Sequence, residues 1–258
     1  MKITVLVENT VCDNRLEAEH GLSLYLETNQ HKILFDMGQT DQFIKNAEEL
    51  DVDLKNVDLA ILSHGHYDHG GGLSAFLQIN QKAPVYLSEN AFGLYYNGTE
   101  KYIGLDQNLL GNSRLVMVGK EMELGDGMTI RSSYGREDRW NLGSFGLTRK
   151  SGEGFVPDEF LHEQYLLVEE NGKKILVSGC SHRGILNIVE WFRPDVLIGG
   201  FHFSKIEPGE VLAGYARHLA SRGSAYYTGH CTGTEQLTFM KEYIPNLFAL
   251  STGSIFEI

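Results

Sequence analysis

Basic residues are scarce in this 258-residue chain: 22 Lys and Arg stand against 34 Asp and Glu, a formal net charge of −12. Nucleic acids and anionic membranes are bound through clustered cations, so that balance argues against both as partners and leaves a small-molecule substrate. Cysteine is nearly absent too. Cys12, Cys180 and Cys231 are odd in number and far apart, which argues against a disulfide framework and agrees with a reducing compartment. No apolar run approaches the length of a membrane span, and Met1 to Val7 breaks at Glu8-Asn9, too short for the apolar core of a signal peptide. A cytoplasmic location is expected. Pro- or Ser-rich linkers and low-complexity tracts are also missing, so a single domain over residues 1–258 is expected, with 42% hydrophobic residues to fill its core. Nothing in the composition sets the oligomeric state.

What is present concentrates in Leu62-Ser63-His64-Gly65-His66-Tyr67-Asp68-His69-Gly70-Gly71-Gly72. Val57 to Leu62 reads as a buried strand, and the glycine triplet is expected to keep any helix from forming through the histidines, which places them on a loop at a strand end. His64 and His66 alternate by two and can present imidazoles to one ion; Asp68 and His69 follow in the next bend and can reach a second. Neutral imidazole with carboxylate suits zinc, with manganese or iron as alternatives.

His-x-His-x-Asp-His after a hydrophobic strand resembles the signature of the metallo-β-lactamase-fold hydrolases. Three further stretches, Ser178-Gly179-Cys180-Ser181-His182-Arg183-Gly184-Ile185, Gly199-Gly200-Phe201-His202 and Thr228-Gly229-His230-Cys231-Thr232-Gly233, look most like the branch named for a dihydropterin-methyl-ribofuranosylaminobenzene 5'-phosphate synthase. The resemblance implies an α/β fold: an αββα sandwich of two face-to-face mixed sheets with helices outside. A weak internal echo, Ile61 to Gly70 set beside Leu176 to Gly184, agrees with two similar halves.

The resemblance also implies a ligand set. His64 and His66 would hold a first ion, and Asp68, His69 and His230 a second. Cys180 matches the strand-end Asp or Cys of the family's fourth motif, while His182 is a competing or additional ligand, favoured because imidazole binds at neutral pH without losing a proton. The family's Gly-His motif is replaced by Leu161-His162-Glu163-Gln164, so either His162 or His182 supplies the remaining first-site ligand, and one ion or two can bind. Asp36, ending its strand before Gly38, would accept the free N–H of a ligating imidazole. His202 would stabilise charge or donate a proton. Cys231 is expected to pack.

Elsewhere, strands are expected at Lys2 to Val7, Leu22 to Glu27 and Lys32 to Phe35, a helix at Asp41 to Leu50, a hairpin across Asn171-Gly172, and helices at Ile185 to Phe192, Glu210 to Leu219 and Thr234 to Tyr243. From about 91 to 160 the regular pattern fades into a loop-rich stretch expected to cover the substrate, with only short strand-like pieces such as Leu115 to Val118 and Met128 to Ile130. There Tyr95, Tyr96, Tyr102, Tyr134, Trp140 and Phe145 would line a pocket for a flat ring or simply pin the loop, and Arg136, Arg139, Arg149 and Lys150 would meet an anion or lie in solvent.

These residues favour a hydrolase in which a metal-bound hydroxide attacks a small ester, phosphoester, lactone or thioester. A histidine at 66, where the diiron oxygen-reducing branch typically carries Glu, favours hydrolysis over redox chemistry. The alternatives are the pterin-linked synthase of the branch name and a non-catalytic metal-bound sensor or binding protein. His66→Ala is expected to abolish both metal retention and turnover, checked by elemental analysis alongside an activity assay; unchanged values for both would defeat the ligand assignment.

Overall fold

Alternation along short strands decides the layering. Ile3 and Val5, Leu24 and Leu26, and Ile33 and Phe35 face a central core, whereas Leu6, Tyr25 and Leu34 point the other way. The same split separates Leu166 and Val168 from Tyr165 and Leu167, and Ile175 and Val177 from Leu176. Side chains of a strand alternate faces, so a sheet that is apolar on both must be covered twice. The computed structural model, which describes residues 1–258, accordingly has four layers. Two seven-stranded mixed sheets lie face to face. Gln42–Glu49 and Leu73–Ile79 cover the outside of the first; Ile185–Phe192, Glu210–Ala220 and Thr234–Met240 cover the second. This is the αββα sandwich expected above. No helix is long and apolar enough to cross a membrane.

Each sheet changes from antiparallel to parallel pairing at one strand. In the first, Lys2–Val7, Ser23–Glu27 and Lys32–Phe35 pair antiparallel, and Leu59–Ile61, Val85–Ser88 and Leu115–Val118 continue in parallel. In the second, Met128–Ser132, Gln164–Glu170 and Lys173–Val177 are antiparallel, and Val196–Ile198, Ala225–Thr228 and Leu247–Ala249 are parallel. The halves therefore repeat one topology, one strand out of step with the echo in the sequence. Lys173–Val177, which leads to Cys180, corresponds to Lys32–Phe35, which leads to Asp36, and not to Leu59–Ile61. Any buried strand that runs into a tight polar loop gives the same local text, so the register of the repeat was readable only from the pairing.

Two expectations are corrected. A single helical turn, Tyr67–Gly70, does form through the motif and carries Asp68 and His69, while His64 and His66 precede it on the loop. The glycines serve close approach instead of helix termination. A Cβ on Gly71 would stand 2.1 Å from Gln39 O and 2.5 Å from Tyr67 O, and one on Gly72 would stand 2.3 Å from Met37 O. The second concerns residues 91–160, which are far more regular than their composition implies. They add Leu115–Val118 to the first sheet and Glu121–Gly125 with Met128–Ser132 to the second. Tyr95–Asn97, Lys101–Tyr102, Leu147–Ser151 and Gly154–Pro157 build a third sheet of four strands. The strands of that small sheet are largely solvent-accessible, so no apolar period of two marks them in the sequence.

Gly71→Ala is expected to cost about 1–3 kcal/mol, because backbone oxygens rather than pliable side chains occupy the space. Urea unfolding checks this; an unchanged midpoint would show that the turn tolerates a side chain.

Candidate metal centre

The strands of an α/β sheet deliver their following loops to one edge, and ligand sites form there. In this chain five such loops meet, bringing Asp36, the His64–His69 stretch, Cys180 with His182, His202 and His230 to one place. Four residues of these loops, Asp36, Ser181, His202 and His230, hold φ between 48° and 59°. Non-glycine residues in that region cost energy, and such strain is kept where surrounding structure imposes a required orientation.

His64, His66 and His182 place ligand atoms within 4.8 Å of one another, and His64 Nε2 lies 3.3 Å from His182 Nε2. Beside them, His69 Nε2 lies 3.2 Å from His230 Nε2 and 3.1 Å from Cys180 Sγ. Asp68 Oδ2 is 3.4 Å from His230 Nε2. His64, His69, Cys180, His182 and His230 are all buried. The structure thus gathers every residue expected to ligate into two adjoining groups.

The hydrogen bonds on the far side of these rings decide what faces the centre. Asp36 Oδ2 accepts from His69 Nδ1 at 2.6 Å and from the Ser63 hydroxyl at 2.7 Å, while Oδ1 accepts from Ser63 N–H at 2.7 Å. Ser63 has spent its proton on Asp36, so at 2.8 Å its oxygen accepts from His64 Nδ1. His230 Nδ1 lies 2.9 Å from Asn9 Oδ1, which also accepts from Gly21 N–H at 3.2 Å and is thereby identified as the oxygen. Each of the three rings donates through Nδ1. Each therefore turns an Nε2 lone pair toward the others, an arrangement that repels itself unless positive charge lies between them.

The local field supplies the same demand. Burial lowers the His69 pKa, but Asp36 and then Asp68 more than offset it and push the ring up to about 9. Burial and the neighbouring imidazoles instead drive His64 and His182 well below the usual histidine range, and burial takes His66 down to about 4. Neutral imidazoles, a carboxylate and thiols around a spot that favours positive charge fit a divalent cation. Nδ1 of buried His182 and Nε2 of buried His66 have no hydrogen-bond partner; Asp158 Oδ2 lies 3.9 Å from the latter.

His162 is turned to other work. Its Nδ1 accepts from Gly65 N–H at 2.9 Å and its Nε2 donates to Asp158 at 3.1 Å, which leaves no lone pair for an ion. Between His162 and His182, the geometry favours His182. Its loop is anchored by buried Glu163, which accepts from the backbone N–H of His182 at 2.6 Å and of Arg183 at 3.0 Å.

A cavity of about 730 Å³ opens over the two groups, a volume suited to a small molecule. His66, Asp68, Cys180, His182, His202 and His230 border it. None of the aromatic residues or arginines singled out in 91–160 lines it. Tyr95 packs on His162 with ring centroids 4.0 Å apart, Trp140 on His218, Phe145 on His202, and Arg136 over Phe192. Tyr95 is buried as a loop anchor, whereas Tyr102 and Tyr134 are exposed to solvent. The cations at the mouth are Lys101 and Lys205, which no sequence pattern marked.

His20 was also missed. It lies on the cavity wall with Nε2 3.4 Å from Asp68 Oδ2, making a His20, Asp68 and His230 cluster. In the sequence Glu8 and Asn9 mark only the end of an apolar run, yet buried Glu8 accepts the backbone N–H of His230. Nothing local marks either role, since the partners are more than 200 residues apart. Ser63 carried a faint signal, being next to the first histidine.

The family model described as Metallo-beta-lactamase superfamily matches residues 16–214. An uncharacterized protein of Methanocaldococcus jannaschii is 31% identical over 251 residues, covering 93% of this chain and 94% of that one. The 7,8-dihydropterin-6-methyl-4-(beta-D-ribofuranosyl)-aminobenzene-5'-phosphate synthase of the same organism is 28% identical over 267 residues, covering 93% and 90%. Among solved structures, a metal-dependent hydrolase of the beta-lactamase superfamily superposes with a TM-score of 0.86 at 30% identity, covering 100% of this chain and 99% of that one.

Asp36→Asn should weaken zinc affinity roughly 10–100-fold, because one carboxylate orients two imidazoles. Competition with a chromogenic chelator measures it, and equal affinity would show that the rings are held by packing alone.

Proposed function

The chain belongs to the metallo-β-lactamase superfamily, and from that premise we propose that it is a metal-dependent hydrolase of a small ester, phosphoester, lactone or thioester. The observation that carries this is the set of Nε2 lone pairs locked inward by Asp36, Ser63 and Asn9. His64, His66 and His182 would hold one cation; Asp68, His69, Cys180 and His230 would hold a second. Imidazole and thiol donors together support zinc over manganese or iron. Cations so placed supply Lewis acidity, which makes water nucleophilic near neutral pH and polarises the bond under attack.

The remaining steps fall to side chains. Burial opposes ionisation of Asp68, but the hydrogen bond from His20 and the nearby His230 and His69 rings outweigh it and hold the carboxyl well below the usual range. Asp68 therefore stays an acceptor, able to orient an attacking water. His202 borders the cavity beside His182, ring centroids 4.3 Å apart, and Nδ1 has no partner. It is placed to donate a hydrogen bond to developing charge or a proton to the leaving group. Lys101 and Lys205 add positive charge at the mouth of an otherwise acidic chain, which supports an anionic substrate. Unbridged cysteines support a reducing, cytoplasmic setting.

The likeness to the pterin-linked synthase favours a second reading, synthesis of a pterin-linked ribofuranosylaminobenzene phosphate. A panel of phosphoester, lactone and thioester probes separates the two. Hydrolysis lost on chelation and restored by zinc supports the first; product that forms only when pterin and phosphoribosyl donors are both present supports the second. Metal-free protein with undiminished hydrolysis would overturn the metal mechanism. His202→Ala is expected to lower kcat about 10²-fold or more with zinc content unchanged, and an unaltered kcat would remove His202 from the chemistry.

A further inference from the structure

Cys231 was expected to pack, and its surroundings argue for more. It is buried yet borders the same cavity as Cys180, His202 and His230. Its sulfur, the Cys180 sulfur and a ring nitrogen of His230 lie within 4.8 Å of one another. The Cys180 sulfur is in turn 3.1 Å from His69 Nε2, which faces His230 Nε2 at 3.2 Å. Donors around one tetrahedral zinc stand about 3.3–3.8 Å apart for bonds of about 2.0–2.3 Å. The spacings from His69 to Cys180 and His230 are close to that shape, and Cys231 stands within 4.8 Å of the latter two.

The sulfur has Cys180 and His202 as its polar side-chain neighbours. Its hydrogen bond to Cys180 O is 3.4 Å long, a weak contact for a buried polar group. The position facing it is Gly200, where a Cβ would stand 2.4 Å from the sulfur, so the backbone leaves this space to the thiol.

Resting on the metal centre proposed above, we infer that Cys231, in place of the Asp68 carboxylate, is a thiolate donor to the second position, so that His69, His230, Cys180 and Cys231 surround one cation. Each thiol releases its proton to water on binding, and two thiolates balance a divalent charge. A pair of sulfurs makes this position selective for a thiophilic ion such as zinc over manganese or magnesium, whereas the His64, His66 and His182 set has no such preference for sulfur-seeking ions.

Cobalt substitution of the full chain reads the donors directly. Visible d–d bands report bound cobalt whatever its ligands, and near-ultraviolet charge transfer reports cobalt–thiolate bonds. Cys231→Ser and Cys180→Ser are each expected to halve the near-ultraviolet band, the double variant to remove it, and Cys12→Ser to leave it unchanged. A full band in Cys231→Ser at equal cobalt content overturns the inference and leaves the metal centre standing; absence of d–d bands in the unsubstituted chain overturns both. Should Cys231→Ser fail to fold, iodoacetamide labelling of the unsubstituted chain decides. Zinc loading is expected to slow labelling of Cys231 about tenfold or more relative to chelated protein, with Cys12 labelled alike in both. Equal labelling of Cys231 in the two states overturns the inference.

Discussion

One buried carboxylate organises the centre. Asp36 takes the His69 N–H directly and the His64 N–H through Ser63, so a single side chain sets the tautomers of two rings. Its own placement is forced: it follows the strand at which the first sheet turns from antiparallel to parallel, with φ at 59°. A carboxylate that is fully buried must be saturated with donors, and here both oxygens are. The strain at this residue and the orientation of the imidazoles are two sides of one constraint.

The second half of the chain answers with a different device. Cys180 stands at the corresponding strand end, and Glu163 does the anchoring by gripping the backbone of His182 and Arg183 and accepting from Tyr165 at 2.7 Å. His230 is fastened across halves, to Glu8 and Asn9 at the end of the first strand. A centre held by both sheets and stitched between them makes metal retention and the packing of the two sheets interdependent. Binding to the folded state alone would add to its stability in proportion to affinity.

The segment 91–160 gives the cavity part of its wall and one of its two lysines, through Asn97, Lys101, Ile103 and Leu147. Its aromatic residues act as supports, with Tyr95 behind His162 and Phe160 stacked on His182 at 4.4 Å. A pocket walled by short exposed strands can be varied without touching the metal ligands, which is how a shared centre can serve different substrates.

Local pattern alone determined a good deal. Buried strands with period-two alternation, the amphipathic helices and the Asn171-Gly172 turn follow from side-chain chemistry at neighbouring positions, and the motif from His64 to His69 places its ligands within six residues. Tertiary structure decided the rest, because the deciding contacts join distant segments. His182 rather than His162 faces the centre since Gly65 and Asp158 occupy both nitrogens of the latter. The helical turn at Tyr67–Gly70, the small four-stranded sheet within 91–160, and the parts played by Glu8, Asn9 and His20 were equally invisible, for their partners lie in other strands and loops. Residue type limits what a side chain can bind; only the folded chain sets which lone pairs are left free to bind it.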